Sequence, residues 1–185
     1  MGTGASSYER ELKGVLQGEP EALRRYRREA GSLEELSDLD RLAREPFLVV
    51  RAAGSQGFDL VALRDRLILP IEVKSSASPQ IHFSAASGRA SEQYRGLLDQ
   101  TRRAGLVLFY AYRRVGLRGE DPWRIFSADP EGSMPRSFAS LVHRYVPPVS
   151  RTTAGHEVLR WEEGRPLLKV LAYLSALSTP SSPKG

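Results

Sequence analysis

The stretch "FDLVALRDRLILPIEVKSS", residues 58–76, decides the fold. Its apolar runs, 58–64 and 67–76, have the composition and alternation of half-buried strands, and Asp65 and Arg66 between them suffice for a hairpin turn. Three charges interrupt the apolar pattern: Asp59, Glu72 and Lys74. If Asp65 and Arg66 form the turn, residues equidistant from it face one another, which sets Asp59 opposite Glu72. Like charges across a strand pair repel, more so beside apolar surface, and a divalent cation between them reverses the sign of that interaction. Side chains alternate along a strand, so Lys74 shares a face with Glu72 while Leu69, Ile71 and Val73 point to the other side. Two carboxylates and an ammonium on one patch suit Mg²⁺ or Mn²⁺, which clamps a phosphate and acidifies water, with Lys74 orienting that water or stabilising developing charge. The competing reading is a strand-end ion pair in which Lys74 only neutralises Glu72 at the sheet rim.

Working outward, the chain reads as helices and strands in an α/β order. Residues 6–17 form a helix with Ser6 as N-cap and Gly18 as its stop. Pro20 opens a basic helix carrying Arg24, Arg25, Arg27 and Arg28, and Ser32 with Glu35 has capping-box spacing for a third that runs to about Arg44. A strand at 47–53 precedes the hairpin. After it, a helix from about Ala90 closed by Gly105 feeds the apolar strand 106–114. A strand at 123–128, a helix at 136–146, a strand at 156–161 and an apolar helix within 166–177 follow, and the tail 179–185 reads as disordered. This order predicts an α/β protein with a mixed central sheet flanked by helices, one domain over residues 1–178 with a basic helical insertion at about 20–44.

Composition narrows the function. Against 22 acidic residues stand 27 basic ones, a net charge of +5, which favours a polyanionic partner, nucleic acid first. There is no Cys, and His82, His143 and His156 are scattered, which argues against disulfides, thiolate metal sites and a zinc enzyme. The longest apolar run, 106–112, falls far short of the roughly 20 residues that span a bilayer, and no signal-peptide pattern opens the chain, so a cytoplasmic place is expected. Only four lysines stand beside 23 arginines. Keeping Lys at position 74 in so arginine-biased a chain suits a compact ammonium with a chemical task.

Four blocks in order, "SSYERELKGVL", "VVRAAGSQGFDLVAL", "LPIEVKSS" and "SEQYRGLLDQTRRAGLVLFYAYR", resemble the archaeal-type Holliday junction resolvases of the PD-(D/E)xK nuclease superfamily. The resemblance implies a restriction-endonuclease-like core, Asp59 and Glu72 as metal ligands and Lys74 as catalytic lysine. It also implies that Glu9 is an active-site acid on the first helix, although Glu9 equally has the spacing to bond back to Ser6. Ser55 falls at the family's active-site serine, or is an ordinary turn serine. Arg10 and Arg51 become phosphate grips or surface ion-pair partners, and Gln93 a site-facing or merely exposed glutamine. Arg24, Arg25, Arg27 and Arg28 extend the DNA surface or form a solvated face. The expected function is Mg²⁺-dependent cleavage of four-way DNA junctions. Paired symmetric cuts with one site per chain imply a homodimer. The alternatives are another DNA nuclease (restriction-like, repair or flap) and a DNA-binding module that does not cut.

Overall fold

The computed structural model describes residues 7–29, 32–52, 58–82, 89–128 and 138–178. The hairpin forms as its sequence predicts: β2 (Leu60–Arg64) pairs antiparallel with β3 (Leu67–Ser76), Leu60 facing Ile71 and Arg64 facing Leu67. Asp65 turns the chain with a left-handed φ of 51°, a conformation Asp tolerates better than most residues. β1 (Leu48–Arg51) adds antiparallel to β2 and is shorter than the expected 47–53.

Three helices precede this meander, α1 (Ser7–Leu16), α2 (Pro20–Glu29) and α3 (Leu33–Arg44). Ser32 and Glu35 close a full capping box on α3, its hydroxyl accepting from the Glu35 N–H and the Glu35 carboxylate from the Ser32 N–H. Gly18 stops α1 at φ 67°, and a Cβ there would come within 3.3 Å of the Leu42 carbonyl, so the tight α1–α2 junction requires glycine. Ser6, the expected N-cap of α1, lies outside the described residues, as does the tail 179–185.

Beyond β3 come β4 (Gln80–His82), α4 (Arg89–Arg103), β5 (Phe109–Arg114), β6 (Trp123–Ser127), α5 (Phe138–Tyr145), β7 (Ser150–Arg151), β8 (Glu157–Arg160), β9 (Arg165–Pro166) and α6 (Leu167–Ser178). The main sheet has six strands in the order β1-β2-β3-β5-β6-β9, and β3 with β5 is its parallel pair. The crossover between those two strands includes α4, as parallel neighbours require a long connection. In a second sheet, β4-β8-β7, β8 falls within the expected strand 156–161, but its partners β4 and β7 were not expected, because strands of three and two residues are too short to show a period.

Each face of the main sheet is covered by its own apolar layer. Leu69 and Ile71 of β3, Ala111 of β5 and Ile125 of β6 pack with Leu12, Val15 and Leu16 of α1 and with Leu39, Val142 and Leu168 of the other helices. On the opposite face Tyr110, Tyr112 and Phe126 meet Tyr94, Leu97 and Leu98 of α4, Leu159 of β8 and Trp161 just after it. Fully burying one such aliphatic or aromatic side chain contributes about 1.5–3 kcal/mol, so the two layers hold β3 rigidly between them. Among the described residues no helix is long and apolar enough to cross a membrane.

Candidate active site

Glu72 sits on β3 with its side chain on the α4 face, between Asp59 at the mouth of β2 and Tyr110 on β5, its Cα partner across the parallel pair. Only 14% of the Glu72 side chain is exposed. Its Oε1 accepts from Lys74 Nζ at 2.9 Å, whereas its Oε2 is buried without any hydrogen-bond partner. The ion pair of the competing reading therefore exists, yet it satisfies only half of the carboxylate. Leaving a buried charged oxygen unpaired costs on the order of 1–3 kcal/mol or more, and native structures seldom carry such an atom without a reason.

Asp59 is the next residue out from the Leu60–Ile71 pair, so the register continues to set it beside Glu72. Its Oδ2 accepts from the Val73 N–H at 2.7 Å, and its own carbonyl accepts from the Ala52 N–H at 3.2 Å, which fixes the residue between β1 and β3. Burial raises the pKa of both carboxyls above the usual carboxylate range. For Asp59 the Val73 N–H opposes that rise, Glu9 adds to it, and Lys74 and Arg51 pull it back. For Glu72 the Lys74 ammonium opposes the rise, and Asp59 and Glu9 reinforce it. Asp59 and Glu9 thus make Glu72 harder to ionise, and Glu9 does the same to Asp59, as like charges gathered beside apolar surface must.

Glu9, in the first turn of α1, brings a third carboxylate from the other layer into electrostatic reach of both. Its Oε2 stands 3.8 Å from Arg51 Nη2 at the end of β1. Among the described residues no three acidic or histidine side chains converge closely enough to enclose a cation, so the direct donor pair is Asp59 and Glu72, with Glu9 standing off on Arg51. An orphaned buried carboxylate oxygen next to a second carboxylate is a donor set of hard oxygens, which fits Mg²⁺ or Mn²⁺ and does not fit a soft thiophilic metal.

The remaining expected residues divide. Arg10 is exposed on α1 at a cleft of about 430 Å³ between α1 and α2. Arg24 and Arg25 both pair with Glu21 within α2, and Arg27 pairs with Asp40 of α3, so three of the four helix arginines already have carboxylate partners. Arg28 is exposed. Gln93 lies on α4, its side chain outside the described residues, and Ser55 falls wholly outside them.

Three features were not foreseen. Tyr110 packs beside Glu72, and its hydroxyl pKa is raised by burial and by that carboxylate. Arg113, 7% exposed, donates to Glu11 and to Glu29 at 2.8 Å each and so clamps α1, α2 and β5 together. Asp121 is a fully buried acid between β5 and β6. Only the parallel register would have signalled Tyr110, and no local pattern announces the other two.

A family model described as archaeal Holliday junction resolvase matches residues 26–132, more than half of the chain. The match contains Arg51, Asp59, Glu72 and Lys74, and α1 with Glu9 precedes it. No curated protein matches the chain. Among solved structures, that of Hjc from Archaeoglobus fulgidus, a Holliday junction resolvase from an archaeal hyperthermophile, is similar at 20% identity, covering 75% of this chain and 92% of that one with a TM-score of 0.47.

Proposed function

This chain belongs to the archaeal Holliday junction resolvase family, and from that premise we propose that Asp59, Glu72 and Lys74 form its nuclease centre, hydrolysing a phosphodiester of four-way DNA junctions with a divalent cation. The observation that carries the proposal is the buried, unpartnered Oε2 of Glu72 beside Asp59. Asp59 and Glu72 would hold the cation, Mg²⁺ with Mn²⁺ able to replace it, and Glu9 adds negative charge from α1. A cation so held supplies Lewis acidity to the scissile phosphate and lowers the pKa of a water.

Lys74 is 31% exposed and anchored through Glu72, so its ammonium is aimed and still reachable by DNA. It orients the attacking water or stabilises charge that develops on phosphorus. Arg51, about half exposed beside Glu9, has a fork edge for a neighbouring phosphate, and Arg10, next to Glu9 in α1, is assigned to phosphate on family grounds. Ser55 and Gln93 are assigned to this centre on family grounds.

Resolution needs two cuts and each chain carries one centre, so the working unit is a homodimer. An apolar strip supports that reading. Leu48, Val50 and Ile68 are 64%, 49% and 42% exposed, and the β1-β2-β3 register sets all three on the face that carries Glu72 and Lys74. Clusters of exposed large apolar side chains mark contact surfaces more often than solvent faces. The cysteine-free, basic composition and a DNA substrate fit a cytoplasmic place of work.

The test is cleavage of labelled four-way junction, linear duplex, flap and single strand, with Mg²⁺ and with EDTA. The expected result is paired cuts in the junction arms, in Mg²⁺ only. Equal cutting of linear duplex would refute junction selectivity in favour of a general nuclease, and tight junction binding without cutting in Mg²⁺ would favour a binding module. Sedimentation of Leu48→Glu/Val50→Glu should give a monomer where the parent chain gives a dimer.

A further inference from the structure

The last turns of α2 and the loop after β5 enclose a cleft of about 420 Å³ lined by Arg25, Arg28, Glu29 and Arg118. Three guanidinium groups and one carboxylate meet there, and the carboxylate is already engaged. Glu29 Oε2 accepts from the buried Arg113 at 2.8 Å, on the inner side of the helix. Arg25 leans on Glu21 through an exposed 3.3 Å contact, the kind of pair that contributes under about 1 kcal/mol and exchanges readily. Arg28 and Arg118 have no carboxylate at ion-pair distance among the described residues.

The C-terminal end of a helix attracts cations, which accounts for Arg27 and Arg28 in the last turn of α2. It does not account for Arg118, brought to the same cleft by a loop from a different element. Like charges sharing a concave site repel until an anion sits among them, and the planar guanidinium fork matches phosphate geometry. Arg118 follows β5, whose C-terminal half pairs with Lys74, Ser75 and Ser76 of β3. The Arg113 clamp joins α2 to α1, the helix that carries Glu9. The cleft and the nuclease centre therefore stand at the same end of the main sheet on one connected frame.

We infer that Arg25, Arg28 and Arg118 hold a backbone phosphate of a DNA arm as it leaves the nuclease centre, an anchor separate from the site of cutting. The inference rests on the nuclease reading above for its ligand, double-stranded DNA, and narrows the basic face of α2 to Arg28 and to Arg25, whose exposed pair with Glu21 exchanges readily. Arg24 and Arg27 take no part in it.

The experiment compares parent chain with Arg28→Gln/Arg118→Gln and with the charge-preserving Arg28→Lys/Arg118→Lys. Binding is followed by fluorescence anisotropy in EDTA across a salt series, on junctions with short arms and with long arms, after circular dichroism confirms folding. On long arms the Gln pair should lower the slope of log affinity against log salt by about 1, the share of one phosphate contact, while the Lys pair keeps it near the parent value. On short arms all three proteins should bind alike, and single-turnover cutting at saturating protein should be unchanged. An unaltered slope on long arms overturns the inference, as does an equal loss on both arm lengths or a fall in the saturated cutting rate. The slope is a binding measurement, so a parent chain that cuts no junction sinks the resolvase reading and leaves this inference to be judged by its own salt dependence on linear duplex.

Discussion

Asp121 and Glu72 are both acids carried into the interior, and the protein treats them in opposite ways. Asp121, wholly buried, has every side of its carboxylate occupied: Oδ1 accepts from the Tyr26 hydroxyl and from the Trp123 N–H at 2.9 Å, and Oδ2 from the Leu168 N–H at 3.1 Å. Those donors come from α2, β6 and α6, so Asp121 fastens three elements together. Glu72 is less deeply buried and has one oxygen with no donor at all. Burial raises the pKa of both, Asp121 up to about 6, but the donors around Asp121 are fixed by the fold, whereas Glu72 Oε2 has none and the strand register sets Asp59 beside the residue. A buried acid saturated by backbone and hydroxyl donors is a structural joint. One left half-satisfied beside a like charge is built for something that arrives from outside.

The contrast breaks first on activity. Asp59→Ala, Glu72→Gln and Lys74→Ala should each slow single-turnover junction cutting by on the order of 10³-fold with the fold retained, and near-normal cutting by any of them would remove that residue from the centre. On stability the order reverses. Asp121→Ala strips partners from three buried donors and should cost about 3–5 kcal/mol in chemical denaturation, an effect that a purely catalytic acid would not show. Mg²⁺ at a hundredfold over its dissociation constant should stabilise the parent chain by about 2.7 kcal/mol, and the shift should vanish in Glu72→Gln. Without metal, Glu72→Gln should be no less stable than the parent and is expected to gain about 1 kcal/mol, because an unpaired buried charge is removed while Lys74 keeps an acceptor. A loss of several kcal/mol there would make Glu72 a joint like Asp121.

A further effect is in pH. A carboxyl whose folded pKa is raised binds its proton more tightly in the folded chain, so its contribution to stability is full below the unfolded pKa and is lost as pH rises through the folded one. For Asp121 that window runs from the ordinary value of 3.8 to about 6. The stability gap between the parent and Asp121→Asn should therefore be wider at about pH 4.5 than at about pH 7.5. A gap that widened with rising pH would mean that the ionised form is the one the fold prefers.

What the sequence made legible was local. The Asp65–Arg66 turn fixed the hairpin register, the period of two set Lys74 with Glu72, and Ser32 with Glu35 announced a capping box that the structure contains. The β3–β5 pairing was legible only as a mixed sheet. Its register, which sets Tyr110 against Glu72, depends on how the α4 crossover packs. Asp121 and Arg113 were invisible because their partners come from distant segments and share no spacing rule. On the basic face of α2 the intrahelical pairs were readable, since Glu21 stands three and four residues before Arg24 and Arg25, where helix geometry brings opposite charges together.

The Arg113 clamp has a bearing on the order of events during folding. Its bond to Glu11 joins positions 102 residues apart, so it forms only after β5 is laid against β3. The Asp59–Glu72 hairpin, by contrast, closes through short-range contacts, and local contacts of that kind assemble first. Glu9 rides on the helix that the clamp seats. A chain caught partway, with the hairpin made and β5 still undocked, would hold Asp59 and Glu72 and lack Glu9, so the proposed nuclease centre would be completed only as α1 is locked into place.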